Sequence, residues 1–280
     1  MQSRTLDQGA EPEPRPAFRV RVPDWAIGLL TIVVLLALWE LASRAGMLDV
    51  YRFPPPSKLS RALVALTING FPRGVTVFSH IQATMLRILK GYALATVLAI
   101  PLGLVVGSSA LLDNMSHPII TFARSVATIS LLPLAVAWFG VGELSRVLLI
   151  TYGCFWVILT NVIHGVKTVS PQLIRAGEML GASRRQIFTR VVLPASLPRI
   201  FAGMKIALGL AFLVIVAVEM IGTIEGLGAL IMEARTFYKT DTTMVGMLFI
   251  ALFGFALAKG LDTFERWLLP WAVGLEEVER

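Results

Sequence analysis

The sequence predicts an all-α integral membrane protein with about six transmembrane helices. Of its 280 residues, 56% are hydrophobic and 15% charged, a balance too apolar for an ordinary soluble domain. The apolar residues come in long blocks: Gly91–Leu112 contains no charged residue, and Ser125–Gly142, Val147–Val166 and Thr242–Ala258 are also free of charge. A helix rises about 1.5 Å per residue, so roughly 20 such residues cross the hydrocarbon core. Regular apolar–polar alternation is absent, which argues against a membrane β-barrel.

The arm 1–24 is Pro-rich and carries both charge signs; it is expected to be a disordered cytosolic segment. No small-x-small cleavage pattern follows Leu38, so the first span is expected to stay uncleaved. The expected spans are Trp25–Ser43, Thr84–Gly107, Ser125–Gly140, Ser145–Gly165, Pro198–Ile221 and Thr243–Leu261, forming a transmembrane domain over 25–268 with a cytosolic tail at 269–280. Trp25, Trp39, Trp138, Trp267 and Trp271 fall at or near these ends, where amphipathic rings favour the interface. Between the first two spans, PPPSKLSRALVALTINGF suits an amphipathic helix along the membrane surface. The single cysteine, Cys154, lies mid-span and reads as a small buried residue.

The basic residues set the expected topology. Segments on the N-terminal side carry 15 Lys and Arg and those on the other side eight, which places both termini in the cytosol. In a membrane protein this distribution, rather than nucleic-acid binding, accounts for the net charge of +7. No phosphate-binding G-x-x-x-x-G-K-[ST] is present; the GLG at 226–228 and GVG at 140–142 read as turns or helix breaks. His80, His117 and His164 are widely separated, with no ligand partners at metal spacing, and no Ser/His pair suggests a protease. The chain is therefore expected to be no enzyme. Glu219 is the main carboxylate near a span, and two readings fit it: a residue paired with another helix, or one lining a solute path. Thr128, Ser130, Thr151 and Asn161 are further path candidates, although each could equally hydrogen-bond a neighbouring helix.

The segment 170–194 is too well made for a loop. Ser170 can cap a helix whose first position is Pro171, and Gly181 suits the left-handed residue that ends it. Ser183 and Gln186 form a capping box for a second helix, on which Ile187, Phe188, Val191 and Val192 share a face. Pro194 and Pro198 lack amide donors and are expected to break the helix before the fifth span. Two basic, partly apolar helices at a glycine joint fit either an anionic membrane surface or a groove on another protein.

The pattern A-x-x-x-L-G-A-S-x-x-x-x-F-x-x-V-V-L-P over 176–194 resembles the cytosolic "EAA" loop of permease subunits in binding-protein-dependent ABC importers. That family's pattern is E-A-A, three residues, Gly, nine residues, Ile, one residue, Leu-Pro. Gly181, Val191, Leu193 and Pro194 take the later positions, while Arg175-Ala176-Gly177 replaces E-A-A and inverts the first charge. FPPPSKLSRAL, LLPLAVAWFGVGELSRVLLI and AVEMIGTIEGLGALIMEA resemble the nitrate/sulfonate/taurine/bicarbonate subgroup, so the likeness spans roughly 50–270. The resemblance implies a type I importer (MetI-like) permease fold in a bacterial inner membrane, and a path shared with a second copy. It also implies two ATPase subunits that hold the ATP and Mg, and a periplasmic or lipid-anchored binding protein. The solute would be nitrate, a sulfonate, taurine, bicarbonate, an aromatic carboxylate or a pyrimidine-like precursor. The ATPase contact implied is Ala176, Gly181, Ala182, Ser183, Arg185, Phe188 and Pro194.

Overall fold

The computed structural model describes residues 24–271 apart from Arg73. Nearly all of the expected arm 1–24 and most of the tail 269–280 thus lie outside the described residues. Among the described residues every regular element is helical. Five helical stretches are long and apolar enough to cross a membrane, with a sixth if one bent pair counts as a span.

Helix α1 (Asp24–Arg44) is apolar but scarcely buried. The amphipathic helix expected between the first two spans is α2 (Pro56–Ile68), which buries Leu59, Ala62 and Leu66 on one face. Its N-cap position, Pro55, makes no side-chain capping bond. Glu40 of α1 takes that role, accepting from the Ser57 amide at 3.1 Å and from Ser57 Oγ at 2.8 Å. A carboxylate at a helix N-terminus satisfies free amides and opposes the dipole, so this contact ties α1 to the rest.

The centre is a bundle of α3 (Val77–Gly107), α6 (Glu143–Lys167) and α9 (Leu193–Glu219). Helix α3 begins seven residues before the expected Thr84. That first part packs its Val77 and Ile81 among α2, α10 (Leu227–Thr236) and α11 (Thr240–Leu268). The α3–α6 contact is set by small residues at every fourth position. Gly91, Ala95, Ala99 and Gly103 are buried in a line, facing Ile150, Cys154, Ile158 and Val162. A Cβ on Gly91 would lie 2.7 Å from Ile150 Cβ, and one on Gly103 would lie 2.7 Å from Val162 Cβ. Such stripes let backbones approach where lipid leaves no hydrophobic force between helices. Cys154 lies in this seam, fully buried.

Two expectations are corrected. The span over Ser125–Gly140 is not one helix: α4 (Ala110–Ser125) is followed by a 3-10 turn, Thr128–Leu131, and α5 (Leu132–Phe139), with an 80° bend between the pair. Val126 and Ala127 are extended, with ψ of 116° and 118°, and Pro133 sits in the first turn of α5. Asp113 on α4 pairs with Lys167 at 2.6 Å. The second correction concerns Pro194 and Pro198, which do not break the helix. Helix α8 (Arg184–Ile187) runs through a π-turn, Phe188–Val192, into α9, and the whole is one stretch, Arg184–Glu219, of 36 residues. A proline removes one bond and crowds the carbonyl four residues back; the wider π-turn accommodates both. The sixth span likewise runs seven residues beyond Leu261, because Asp262 at 2.6 Å and Glu265 both pair with Lys205 of α9.

Gly103→Leu is expected to destabilise the chain in detergent by about 1–3 kcal/mol through overpacking. Gly28→Leu, at a position with nothing within 4 Å, should leave it unchanged. Thermal unfolding followed by size-exclusion chromatography compares the two, and equal melting would refute the close-packed seam.

Candidate functional site

Three places carry structure that packing alone does not require. At one end of the bundle, α7 (Pro171–Met179) and α8 form a corner. The Ser170 hydroxyl accepts from the Gln172 amide at 3.3 Å. Ser183 and Gln186 form the complete capping box, Ser183 N to Gln186 Oε1 at 2.8 Å and Gln186 N to Ser183 Oγ at 3.4 Å. Gly181 joins the helices at φ +75°, the left-handed region that favours glycine. Across the corner, Gly177 of α7 faces Ile187 and Val191. Of the expected contact residues, Ala176, Gly181, Ser183 and Arg185 are exposed; Ala182, Phe188 and Pro194 are half-buried.

Halfway along α6 lies the break between α4 and α5. Tyr152 Oη donates to Ala123 O at 2.8 Å, and Gly153 packs against Thr128, which fixes the break at mid-span depth. The amides of Ala127, Thr128 and Ile129 find no acceptor among the described residues. Within a bilayer, backbone of this kind persists only against protein or water. Ser130 is exposed here and Thr128 half-buried. The other path candidates do not converge on this point. Thr151 is buried and donates towards Val147 O at 2.8 Å and Gly91 O at 3.2 Å. Asn161 bonds Val157 O and packs on Gly203.

The end opposite the corner holds an ion cluster, buried apart from Glu143; it gives Glu219 the paired reading, with a partner, Arg87, that sequence reasoning missed because it lay inside an expected span. Glu219, its side chain fully enclosed, accepts from Arg87 Nη1 at 2.7 Å, Thr84 Oγ1 at 2.8 Å and the Gly228 amide at 3.0 Å. Arg87 also makes a paired contact with Glu143, at 2.8 and 2.6 Å, and donates to Glu225 O. Arg146 bridges Glu143 and Gly222 O. His80 Nε2 donates to Phe71 O at 2.8 Å, which leaves Nδ1 to accept from the Gly226 amide at 3.1 Å. Two arginines and two glutamates thereby neutralise one another while fastening α3, α6, α9 and the loop before α10. A Cβ on Gly226 would run into the Glu219 carboxylate, so that glycine is required by close approach.

The family model for binding-protein-dependent transport system inner membrane components matches residues 99–273. The taurine transport system permease protein TauC of Escherichia coli is 37% identical over 244 residues, 86% of this chain and 88% of that protein. A putative aliphatic sulfonates transport permease protein, SsuC of Bacillus subtilis, is 30% identical, covering 88% of each chain. The bicarbonate transport system permease protein CmpB of Synechocystis is 30% identical over 90% of this chain and 92% of that one. Among solved structures, the MetNI methionine ABC transporter in an inward-facing conformation aligns with a TM-score of 0.58 at 19% identity, covering 68% of this chain and 94% of that one, a likeness of fold alone. The chain belongs to the binding-protein-dependent permease family: a multi-pass MetI-like transport component and not an enzyme.

Removing one partner of the buried pair leaves an uncompensated charge, so Arg87→Ala or Glu219→Ala is expected to lower stability by about 3–5 kcal/mol. The pair Arg87→Met with Glu219→Leu should recover most of that loss. A thermal-stability double-mutant cycle measures it, and strict additivity would show that the two side chains do not act together.

Proposed function

We propose that the chain is one of two permease copies in an ATP-driven importer, moving a small anionic or organic solute along a path between the copies. The solute belongs with those in its relatives' names, taurine, sulfonates and bicarbonate, or with nitrate and aromatic carboxylates. The α7–α8 corner docks on cytosolic ATPase subunits, one beneath each copy, which hold the ATP and Mg2+. A periplasmic or lipid-anchored binding protein delivers the solute at the opposite end, and both termini lie in the cytosol.

The observation that carries this reading is the continuity of the corner with the bundle. A capped joint with one left-handed residue runs without interruption through Arg184–Glu219 to the buried ion cluster. A flexible loop would absorb a displacement of the ATPases; a continuous helix transmits it to a bundle that must switch between discrete arrangements. The broken span supplies the second support. Its unpaired amides at mid-depth call for water or a second copy beside them, and either supports Thr128 and Ser130 as path residues.

Two outcomes are expected. A side chain at Gly181 meets the left-handed penalty of about 1–2 kcal/mol, so Gly181→Val should lower solute uptake and the ATPase response to binding protein at least several-fold in proteoliposomes. Unaltered coupling would sink the role of the joint. Ser130→Cys should react with a membrane-impermeant thiol reagent, whereas Leu98→Cys, on the outer face of α3, should not; native Cys154 is fully buried and gives no background. Equal labelling of both positions, or of neither, would remove the break from the path.

A further inference from the structure

The free surface of the corner carries more than the family pattern demands. Helix α7 buries none of its residues. Leu173 is 51% exposed, and at the corner Met179 and Leu180 are 88% and 87% exposed. Leu173, Ala176 and Leu180, the last at the C-cap of α7, stand at i, i+3 and i+7; this exposed stripe lies beside Gly177, whose contact with Ile187 and Val191 covers the neighbouring face. A solvated stripe of this kind is the pattern by which a helix enters an apolar groove.

Charge identifies the groove. Arg175, Arg184, Arg185 and Arg190 are all exposed, and among the described residues none of them makes an ion pair. Glu178 is the single acid between 170 and 194. Three of these arginines flank the corner, and Arg175 stands where the family pattern has glutamate. The fixed angle at Gly181, held by caps on both helices, suits a shaped protein surface; lipid headgroups require no such angle.

We propose that the corner fits an apolar groove rimmed by carboxylates on its ATPase: Leu173 and Leu180 enter the groove and Arg175 faces an acidic residue. The inference rests on the permease reading above and adds the chemistry of the partner. Complementary charge at such a contact governs both encounter and selection of the right partner. An ATPase matched to a glutamate at this position would meet Arg175 with a like charge.

The test uses the full chain, purified in nanodiscs with the ATPase that copurifies from its host. Arg175→Glu should weaken ATPase retention about tenfold, and Leu180→Asp should abolish it, with the unfolding temperature of the isolated chain unchanged in both because neither side chain is buried. Arg175→Cys should cross-link near a carboxylate residue of the ATPase, and converting that residue to Lys should restore retention to Arg175→Glu. Unchanged or tighter retention by Arg175→Glu overturns the acidic rim while leaving the permease reading intact. A loss that follows the anionic lipid content of the nanodisc and not the ATPase assigns the arginines to headgroups and overturns it too. A wild-type chain that retains no ATPase overturns the permease reading and this inference together.

Discussion

A carboxylate enclosed among apolar helices must find a fixed opposite charge, and the Arg87–Glu219 pair is where this protein meets that demand. Desolvating either ion alone would cost several kcal/mol. The remaining lone pairs of Glu219 are therefore met by Thr84 and the Gly228 amide, and the remaining donors of Arg87 by Glu143 and Glu225 O. The geometry reaches back into the backbone. Gly226 and Gly228 lie against the Glu219 side chain, where neither has room for a Cβ. One end of the bundle is thus held by a network in which every member constrains its neighbours.

The other end is built on the opposite principle. Helix α7 buries nothing, the arginines of the corner are unpaired among the described residues, and the corner's order comes from caps and a glycine joint. Local hydrogen bonds make the corner stiff without anchoring it in the core. Stiffness without anchoring is what a docked element needs if it is to move as a unit. The small-residue seam between α3 and α6 gives the middle its rigidity by a third route, backbone approach.

Elements carried by local chemistry were legible in the sequence. The caps at Ser170 and Ser183, the left-handed Gly181, the breaks at 140–142 and 226–228 and the α2 amphipathic face all follow from near neighbours. What escaped depends on distant partners. Nothing near Arg87 announces Glu219, 132 residues away, and Arg87 itself falls within the expected span Thr84–Gly107. The small residues at 91, 95, 99 and 103 were a readable signal of close helix packing, but their partner helix was not. Pro194 pointed locally to a break; the π-turn that avoids one is a property of the preceding turn. The kink at Val126 was hidden by a charge-free block that composition alone could not distinguish from a straight span.

The two ends and the break are linked by geometry. From Arg184 to Glu219 the helix is continuous, about 50 Å long at its rise per residue. Its far end is pinned by the ion cluster, so under the docking proposed above a lateral push at the corner would turn it about Glu219. Leu210, which packs beside Gly153 near the break, lies nine residues from that pivot, against 35 for Arg184. A rigid lever would carry about a quarter of the corner's displacement to that depth. The 3-10 turn there touches α9 directly and has backbone donors free to exchange partners. On that proposal the pinned cluster would serve as a fulcrum, and the broken span, with its unpaired amides at mid-depth, would be the part best placed to respond.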